Sequence, residues 1–378
     1  MQKIPVAIIG GGLSGLYAAY LLEQQGIEYI LLEARNILGG RILSSKSLKD
    51  NDDTEANTGT TNNGDSFDLG PSWYWPDYQQ QLGSLVDDLQ LKSFAQFEDG
   101  DMMVERSADQ LPVRSPGYQS SPPSMRLIGG MSALIEALYS RLDSSRIRTG
   151  HIVHSIHHTG NHIEISSEDG LGQITTLQAQ HVLLALPPRL AVTNIDFQPP
   201  LPVELATQWQ ATATWMAPHA KYFAVYDKPF WREQGLSGEG RSAIGPLVES
   251  HDASQNGHGA LFGFVGVPAA SRQSVSTAVL KEYCRAQLVR LFGSEADAPV
   301  TEYLKDWAQD PFTATAADAH SDGHHASAPR AKANSGIWTN CLTGIGSEWS
   351  RQFPGYVAGA VEAAGFGVQD LIENLSRD

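Results

Sequence analysis

Cysteine is almost absent. Two thiols, Cys284 and Cys341, in 378 residues do not suggest a disulfide framework. Long apolar runs are missing too. None approaches the ~20 residues that a membrane-crossing helix needs, so no membrane partner is expected. Positive charge is scarce: Lys and Arg number 26 against 42 acids, a formal net charge of -16. That balance argues against nucleic acid or an anionic membrane as a partner. The first strand is expected from Ile4, which leaves no room for a signal peptide and makes the cytoplasm the expected location. No internal repeat is visible. Metal-ligand spacing is lacking as well. His151, His154, His157, His158 and His162 fall on an expected hairpin, where period-two alternation splits them between faces. His320, His324 and His325 lie in a Ser/Asp/Gly/Ala stretch without a cysteine or carboxylate framework, so no metal site is expected.

What is present is a chain long enough for two domains with their own cores, 41% of it apolar. The stretch from Met1 to Arg41 organises it. Ile4, Val6, Ala7, Ile8 and Ile9 form a short apolar run that stops at Gly10-Gly11-Gly12-Leu13-Ser14-Gly15. An amphipathic run from Leu16 to Gln25 follows and closes on Gly26. A second apolar run, Tyr29-Ile30-Leu31-Leu32, ends on Glu33. The order is strand, glycine turn, helix, strand, and each part has a task in holding a dinucleotide. Gly10 permits the tight turn, Gly12 lets the backbone approach a pyrophosphate, and Gly15 lets the helix pack close to the strand. The helix N-terminus, with Leu13 and Ser14 of the glycine turn as further cofactor-binding candidates, offers free N–H groups and a partial positive charge to the phosphates. Glu33 can accept hydrogen bonds from ribose hydroxyls.

Ala34-Arg35 and Leu38-Gly39-Gly40-Arg41 come next. They resemble the second phosphate-side signature of flavoproteins that bind FAD. Gly39 and Gly40 would permit close backbone approach, and Arg41 would add charge to the diphosphate. Residues 44–66 are rich in Ser, Asp, Asn, Thr and Gly and read as an exposed, mobile hairpin loop. Phe67-Asp68-Leu69-Gly70-Pro71-Ser72-Trp73 is similar to a segment that passes beside the flavin ring in flavin amine oxidases. Gly70, Pro71 and Ser72 are therefore candidates for flavin contact, the alternative being a strand end and a plain turn.

A helix is expected over Tyr78–Leu91, a loop over Gln110–Ser124, and a second helix over Ser132–Leu142 with Ser132 as its N-cap. Strands are expected at Arg148–Ile156, His162–Ser166, Ile174–Gln178 and His181–Leu186, the last stopped by Pro187-Pro188. By position, Val153 matches the strand whose backbone lines the adenine pocket in the same family. Lys221-Tyr222-Phe223-Ala224-Val225-Tyr226 is an apolar strand opened by a lysine, followed by Pro229-Phe230-Trp231. Alternation puts Lys221 on the face of Phe223 and Val225, where an ammonium needs a polar partner. The pattern resembles the monoamine and polyamine oxidases, in which the matching lysine holds a water against flavin N5. The alternative is a surface lysine at a strand start.

Trp307-Ala308-Gln309-Asp310-Pro311-Phe312-Thr313 resembles a further segment of that family. Some members carry a flavin-bonding cysteine and a cage tyrosine just beyond it. Ala316 and Ala317 stand there in this chain, so the resemblance implies non-covalent FAD and one missing wall of the amine cage. Gly346-Ser347-Glu348-Trp349-Ser350 through Phe353-Pro354-Gly355-Tyr356-Val357 to Glu362 resembles the C-terminal flavin signature. It implies Glu348 on a ribityl hydroxyl. It also implies a helix from Gly355, Tyr356 and Val357 aimed at the flavin, with Tyr356 as the surviving cage aromatic.

The expected architecture is α/β, with a discontinuous Rossmann-like FAD-binding domain (1–75, 125–212 and 312–378). A smaller α+β substrate domain (76–124 and 213–311) is inserted into it. The resemblance implies an oxidoreductase that moves hydride from an amine to FAD and reoxidises with dioxygen, with Lys221 and Tyr356 as catalytic residues. Two alternatives are a desaturase or porphyrinogen-type oxidase on the same scaffold, and a silent flavin-binding protein.

Overall fold

The structure, a computed structural model, describes residues 2–46, 66–255, 257–320 and 327–376. Residues 47–65 of the expected loop lie outside the described residues, as do His324 and His325. The two stems of that loop do meet: Ser44 pairs antiparallel with Asp68, and the Leu69 amide donates to the Leu43 carbonyl.

Gln2–Ile9 is the hub of the first sheet. It pairs in parallel with Tyr29–Leu32 on one side and Ile174–Leu184 on the other. All four residues of Tyr29–Leu32 are buried, as a strand covered on both faces requires. Ile147–Arg148 extends the edge beside Tyr29–Leu32, and Leu342–Gly344 pairs with Ile174–Leu184. His151–His158 and Ile163–Asp169 form an antiparallel hairpin on the far side. Two expectations change here. Ile174–Leu184 is one strand and not two, because no glycine or proline interrupts 178–181. The expected strand at Arg148 is broken at Gly150, whose φ of +70° turns the chain before His151.

The helices Leu13–Gln24, Ser132–Tyr139 and Val357–Leu375 pack their apolar faces into the core under this sheet. Ser132 is the first residue of its helix; Met131 takes the cap position expected for Ser132. The Met131 amide instead finds the Asp68 carboxylate at 2.8 Å, so a buried acid serves where a local cap was expected. Helix Gln80–Asp88 also joins this core through Leu82, Leu85 and Val86. A division at residue 76 assigns that helix to the other unit, whereas its apolar face packs here.

The second sheet runs in the order Thr301–Asp306, Ala220–Tyr226, Gly259–Val265, Leu247–Asp252, Leu236–Ser242, Asp101–Glu105, Val113–Ser115. Its last strand falls inside the stretch expected to be loop. Helix Thr277–Phe292 covers it with Leu280, Cys284, Leu288 and Leu291. A separate apolar cluster joins the two sheets: Leu43, Phe67 and Leu69 meet Phe223, Phe262, Tyr303 and Trp307. The chain that follows the glycine turn is thereby packed against the strand that carries Lys221. No helix among the described residues is long and apolar enough to cross a membrane.

Candidate active site

One cavity is lined by both ends of the chain and by both sheets. Its walls include Gly10, Gly12, Leu13, Ser14, Glu33, Ala34, Arg35, Gly39, Gly40, Arg41, Gly70, Pro71, Ser72, Val153, Lys221, Gly355, Tyr356 and Val357. Of the residues expected at a site, Gly15 and Glu348 stand behind the wall. Gly15 sits against the Gly10 carbonyl, and Glu348 reaches the cavity through Arg41.

The cradle begins at Gly10, whose φ of +111° and contact with the Ala185 carbonyl exclude a side chain. Gly12 then caps helix Leu13–Gln24 without any side-chain cap. The free amides of the first turn therefore present their partial positive charge to the cavity wall. Gly12 faces Gly39 across a bridge that would leave a Cβ 3.7 Å from the Gly39 carbonyl. Both glycines line the cavity, so bare backbone forms its wall there, as the close approach of a diphosphate needs. Glu33 closes one side. Its carboxylate is buried and accepts from the Gly11 amide at 2.6 Å and the Arg35 amide at 2.8 Å. Two bonds use half of its roughly four acceptor sites, which leaves room for ribose hydroxyls. A second uncapped helix, Val357–Leu375, starts from Tyr356 on the same wall. These features fit a dinucleotide with a flavin at one end.

Arg41 and Glu348 form a two-pronged pair at 2.5 and 2.9 Å, and Ser347 Oγ accepts from the same guanidinium at 3.0 Å. Burial raises the Glu348 pKa, but the Arg41 charge and hydrogen bonds outweigh it and hold the carboxyl below its ordinary range. The resemblance implied separate partners for these residues, a diphosphate and a ribityl hydroxyl. In the structure they are partners of each other.

Lys221 is 3% exposed. Its ammonium donates to the Asp68 carbonyl at 2.8 Å, the Gly70 carbonyl at 2.9 Å and Ser72 Oγ at 2.7 Å. An ammonium has three donors, and all three are spent. In this arrangement the donors tie Lys221 to the strip 68–72. Nζ also lies 4.0 Å from the centre of the Phe262 ring. Burial, joined by the Arg126 charge, lowers the Lys221 pKa, while the Asp68 charge opposes it. The three acceptors all favour the charged form.

Tyr356 stands between two indoles. Its ring centre is 6.5 Å from Trp75 at 82° and 6.3 Å from Trp215 at 32°. Neither tryptophan was singled out from the sequence, although each lies close to a motif, two residues past Trp73 and six before Lys221. His219 is a further lining residue that was missed. Its Nδ1 is buried without a hydrogen-bond partner, and burial followed by the Arg272 charge lowers its pKa. Neither thiol lines the cavity: Cys284 lies in the core of the second sheet, and Cys341 packs against the first. Among the described residues no group of three or more His, Cys, Asp and Glu could hold a metal.

Residues 8–89 match the model of an NAD(P)-binding Rossmann-like domain. A probable flavin-containing monoamine oxidase A of Dictyostelium discoideum is 23% identical over 98% of this chain and 97% of its own. Putrescine oxidase of Kocuria rosea is 29% identical over 52% of this chain and 42% of its own. Among solved structures, cyclohexylamine oxidase from Brevibacterium oxydans superposes with a TM-score of 0.79 at 18% identity, covering 99% of this chain and 100% of that one. Wild-type putrescine oxidase bound to putrescine gives 0.76 at 21%, covering 98% and 99%. Residues 117–372, more than half of the chain, match the model of the flavin containing amine oxidoreductases. With its Rossmann-like cradle, the chain belongs to the flavin-containing amine oxidoreductase family.

Proposed function

We propose that this protein oxidises a small amine, with dioxygen as the final electron acceptor. The observation that carries the reading is the shared cavity. One continuous wall joins the dinucleotide cradle at Gly12 and Glu33 to Lys221 and the aromatic group around Tyr356. On this reading the first sheet serves the cofactor and the second sheet the substrate, and both contribute to the cavity wall.

FAD, when bound, supplies the hydride acceptor. The remaining work falls to the protein. Glu33 and the first turn of helix Leu13–Gln24 would hold the adenosine and diphosphate. The Arg41–Glu348 pair, half-buried and mutually oriented, would fix the backbone around Ser347 beside the flavin. The free amides of helix Val357–Leu375 would face the edge of the ring where negative charge gathers on reduction. Tyr356, Trp75 and Trp215 would orient the amine. Lys221 would act as a positioning residue. Its three hydrogen bonds tie the strip 68–72 to the second sheet, and Gly70, Pro71 and Ser72 of that strip face the cavity.

Anaerobic mixing with a panel of amines tests the reading. Amine-dependent bleaching of the flavin, reversed by air with release of peroxide, is the expected result. Bleaching by polyenes or porphyrinogens alone would move the assignment to another oxidation.

Two further results are expected. Denaturation should release intact FAD into the supernatant, since neither cysteine lies on the cavity wall. Flavin that stays with the precipitated polypeptide would contradict this. Glu33→Ala should weaken FAD binding by one or two charged hydrogen bonds, roughly 1.5–3 kcal/mol each. Titration of the apoprotein with FAD measures the loss, and unchanged affinity would place the ribose elsewhere.

A further inference from the structure

We infer that Asp310 controls how fast FAD enters and leaves without touching it. With Arg35 it fastens residues 307–313 across the Glu33 end of the cavity, as a clasp between the two sheets. The inference concerns the cofactor and holds whatever the substrate is.

This strap leaves the second sheet at the end of strand Thr301–Asp306. Its near end is bolted down. Trp307 Nε1 donates to the Leu69 carbonyl at 3.2 Å, and the Trp307 amide donates to the His219 carbonyl at 3.0 Å. The chain then turns at Asp310, whose carbonyl accepts from the amides of Thr313 and Ala314 at 3.1 and 2.9 Å. Beyond the strap, buried Asp318 accepts from Thr315 Oγ1 at 2.8 Å and from Arg189 at 2.6 Å. Between these anchors Phe312 and Thr313 line the cavity.

The tie to the other side is ionic. Arg35 follows Glu33 and Ala34 at the end of strand Tyr29–Leu32 of the first sheet. Its Nη2 donates to Asp310 Oδ1 at 2.5 Å and to Thr313 Oγ1 at 3.1 Å. Its guanidinium lies 5.3 Å from the centre of the Phe312 ring. The other Asp310 oxygen accepts from Lys305 Nζ at 2.7 Å. Burial raises the Asp310 pKa, but the charges of Arg35 and Lys305 and their hydrogen bonds outweigh it and hold the carboxyl below its ordinary range. The carboxylate is therefore ionised at neutral pH, and stranding it without Arg35 is costly. Arg35 lines the cavity, yet its charge is answered by Asp310, and by Glu33 at 3.8 Å, both groups of the protein itself.

A nucleotide seated against Glu33 passes this end of the cavity only when the strap lifts. Lifting breaks the bonds of Arg35 to Asp310 and Thr313. These bonds join protein to protein, so they set the cost of opening and not the contacts made by FAD. Weakening them raises the population of the open form, and entry and exit then speed up in the same ratio.

Asp310→Asn tests this on the FAD-loaded protein. Asparagine keeps the shape and removes the charge, which turns charge-assisted bonds into neutral ones of about half the strength. Release is followed by the loss of bound-flavin absorbance, with an excess of an unrelated apoflavoenzyme to trap free FAD. Entry is followed by the quenching of FAD fluorescence on mixing with the apoprotein. Both rates should rise by about 10-fold, the scale of one weakened bond to a charged group, with the affinity little changed. Thr313→Val removes one bond and should act in the same direction on a smaller scale. It carries the test if Asp310→Asn does not fold. Faster release with unchanged entry would mean a lost contact or a loosened fold, and overturns the clasp. Unchanged release overturns it as well. Slower release would show the freed Arg35 turning to the diphosphate, a direct contact in place of a clasp.

Discussion

Gly15→Ala is expected to give a protein that has lost its flavin. A Cβ on Gly15 would lie 1.9 Å from the Gly10 carbonyl oxygen and 3.3 Å from the Ala185 Cβ. The first of these is backbone at the end of the central strand, so no side chain can swing aside. Helix propensity pulls the other way, favouring alanine by ~1 kcal/mol in a helix interior. Overpacking of this kind costs typically 1–3 kcal/mol even where side chains can yield, and here the helix itself must retreat. That retreat moves the uncapped first turn away from the cavity wall at Gly12 and Gly39. FAD affinity should therefore drop by about 100-fold, the loss of two bonds to a charged group. Gly365→Ala serves as the control. It lies in helix Val357–Leu375 with nothing nearer than Tyr17 Cε1 at 4.0 Å, so propensity alone should act and stability should rise slightly. The measurement is the ratio of flavin to protein absorbance after purification, with thermal melts of both variants. Full flavin content in Gly15→Ala would mean that the helix can tilt without opening the cradle.

The glycine turn was legible because every part of its task is local. Strand, turn and helix follow one another directly from Gln2 to Gln24, and Gly10 and Gly15 answer contacts that the local geometry makes. The same holds for the second sheet strand Ala220–Tyr226, whose inward face at Lys221 follows from alternation alone. What could not be read were the partners. Arg41 and Glu348 are 307 positions apart, and nothing in either motif says that they answer each other. Each motif points to a ligand group, and neither points to the other residue. Lys221 and Ser72 are 149 positions apart, so the spending of all three ammonium donors on one strip appears only in the fold. Trp215 shows a subtler gap. It precedes a strand and has no periodic signal, yet its side chain fills the space above Gly355 and its ring meets Tyr356. A large aromatic next to a motif is the signal that points to it. The packing of helices has the same gap. Helix Gln80–Asp88 lies within the expected Tyr78–Leu91, but which core it joins is a non-local choice that amphipathicity alone does not make.

Lys221→Met should slow flavin reduction by about 100-fold while FAD stays bound, the scale of a reacting group displaced by roughly 1 Å. Methionine has nearly the length and volume of lysine. Its sulfur can rest on the Phe262 ring that Nζ now faces at 4.0 Å, so the strand should keep its packing. What is lost is the tie to 68–72. The carbonyls of Asp68 and Gly70 and the Ser72 hydroxyl lose their shared donor in a buried place. An orphaned buried group costs about 1–3 kcal/mol, so the strip should move until its groups find water or other donors. Gly70, Pro71 and Ser72 line the cavity, and their movement shifts the surface against which flavin and amine are aligned. Ser72→Ala removes one of the three bonds without touching the lysine, and should give a smaller loss in the same half-reaction. The pH profile separates positioning from proton transfer. A lysine that carried the proton would impose its own ionisation on the rate, and the methionine variant would lose that limb. A lysine that only positions the strip leaves the profile with the same shape and a lower amplitude. Stopped-flow absorbance of each half-reaction across pH, with flavin occupancy checked first, reads all of this. Wild-type rates in both half-reactions of a fully loaded variant would remove Lys221 from the chemistry and leave it as a buried support for the second sheet.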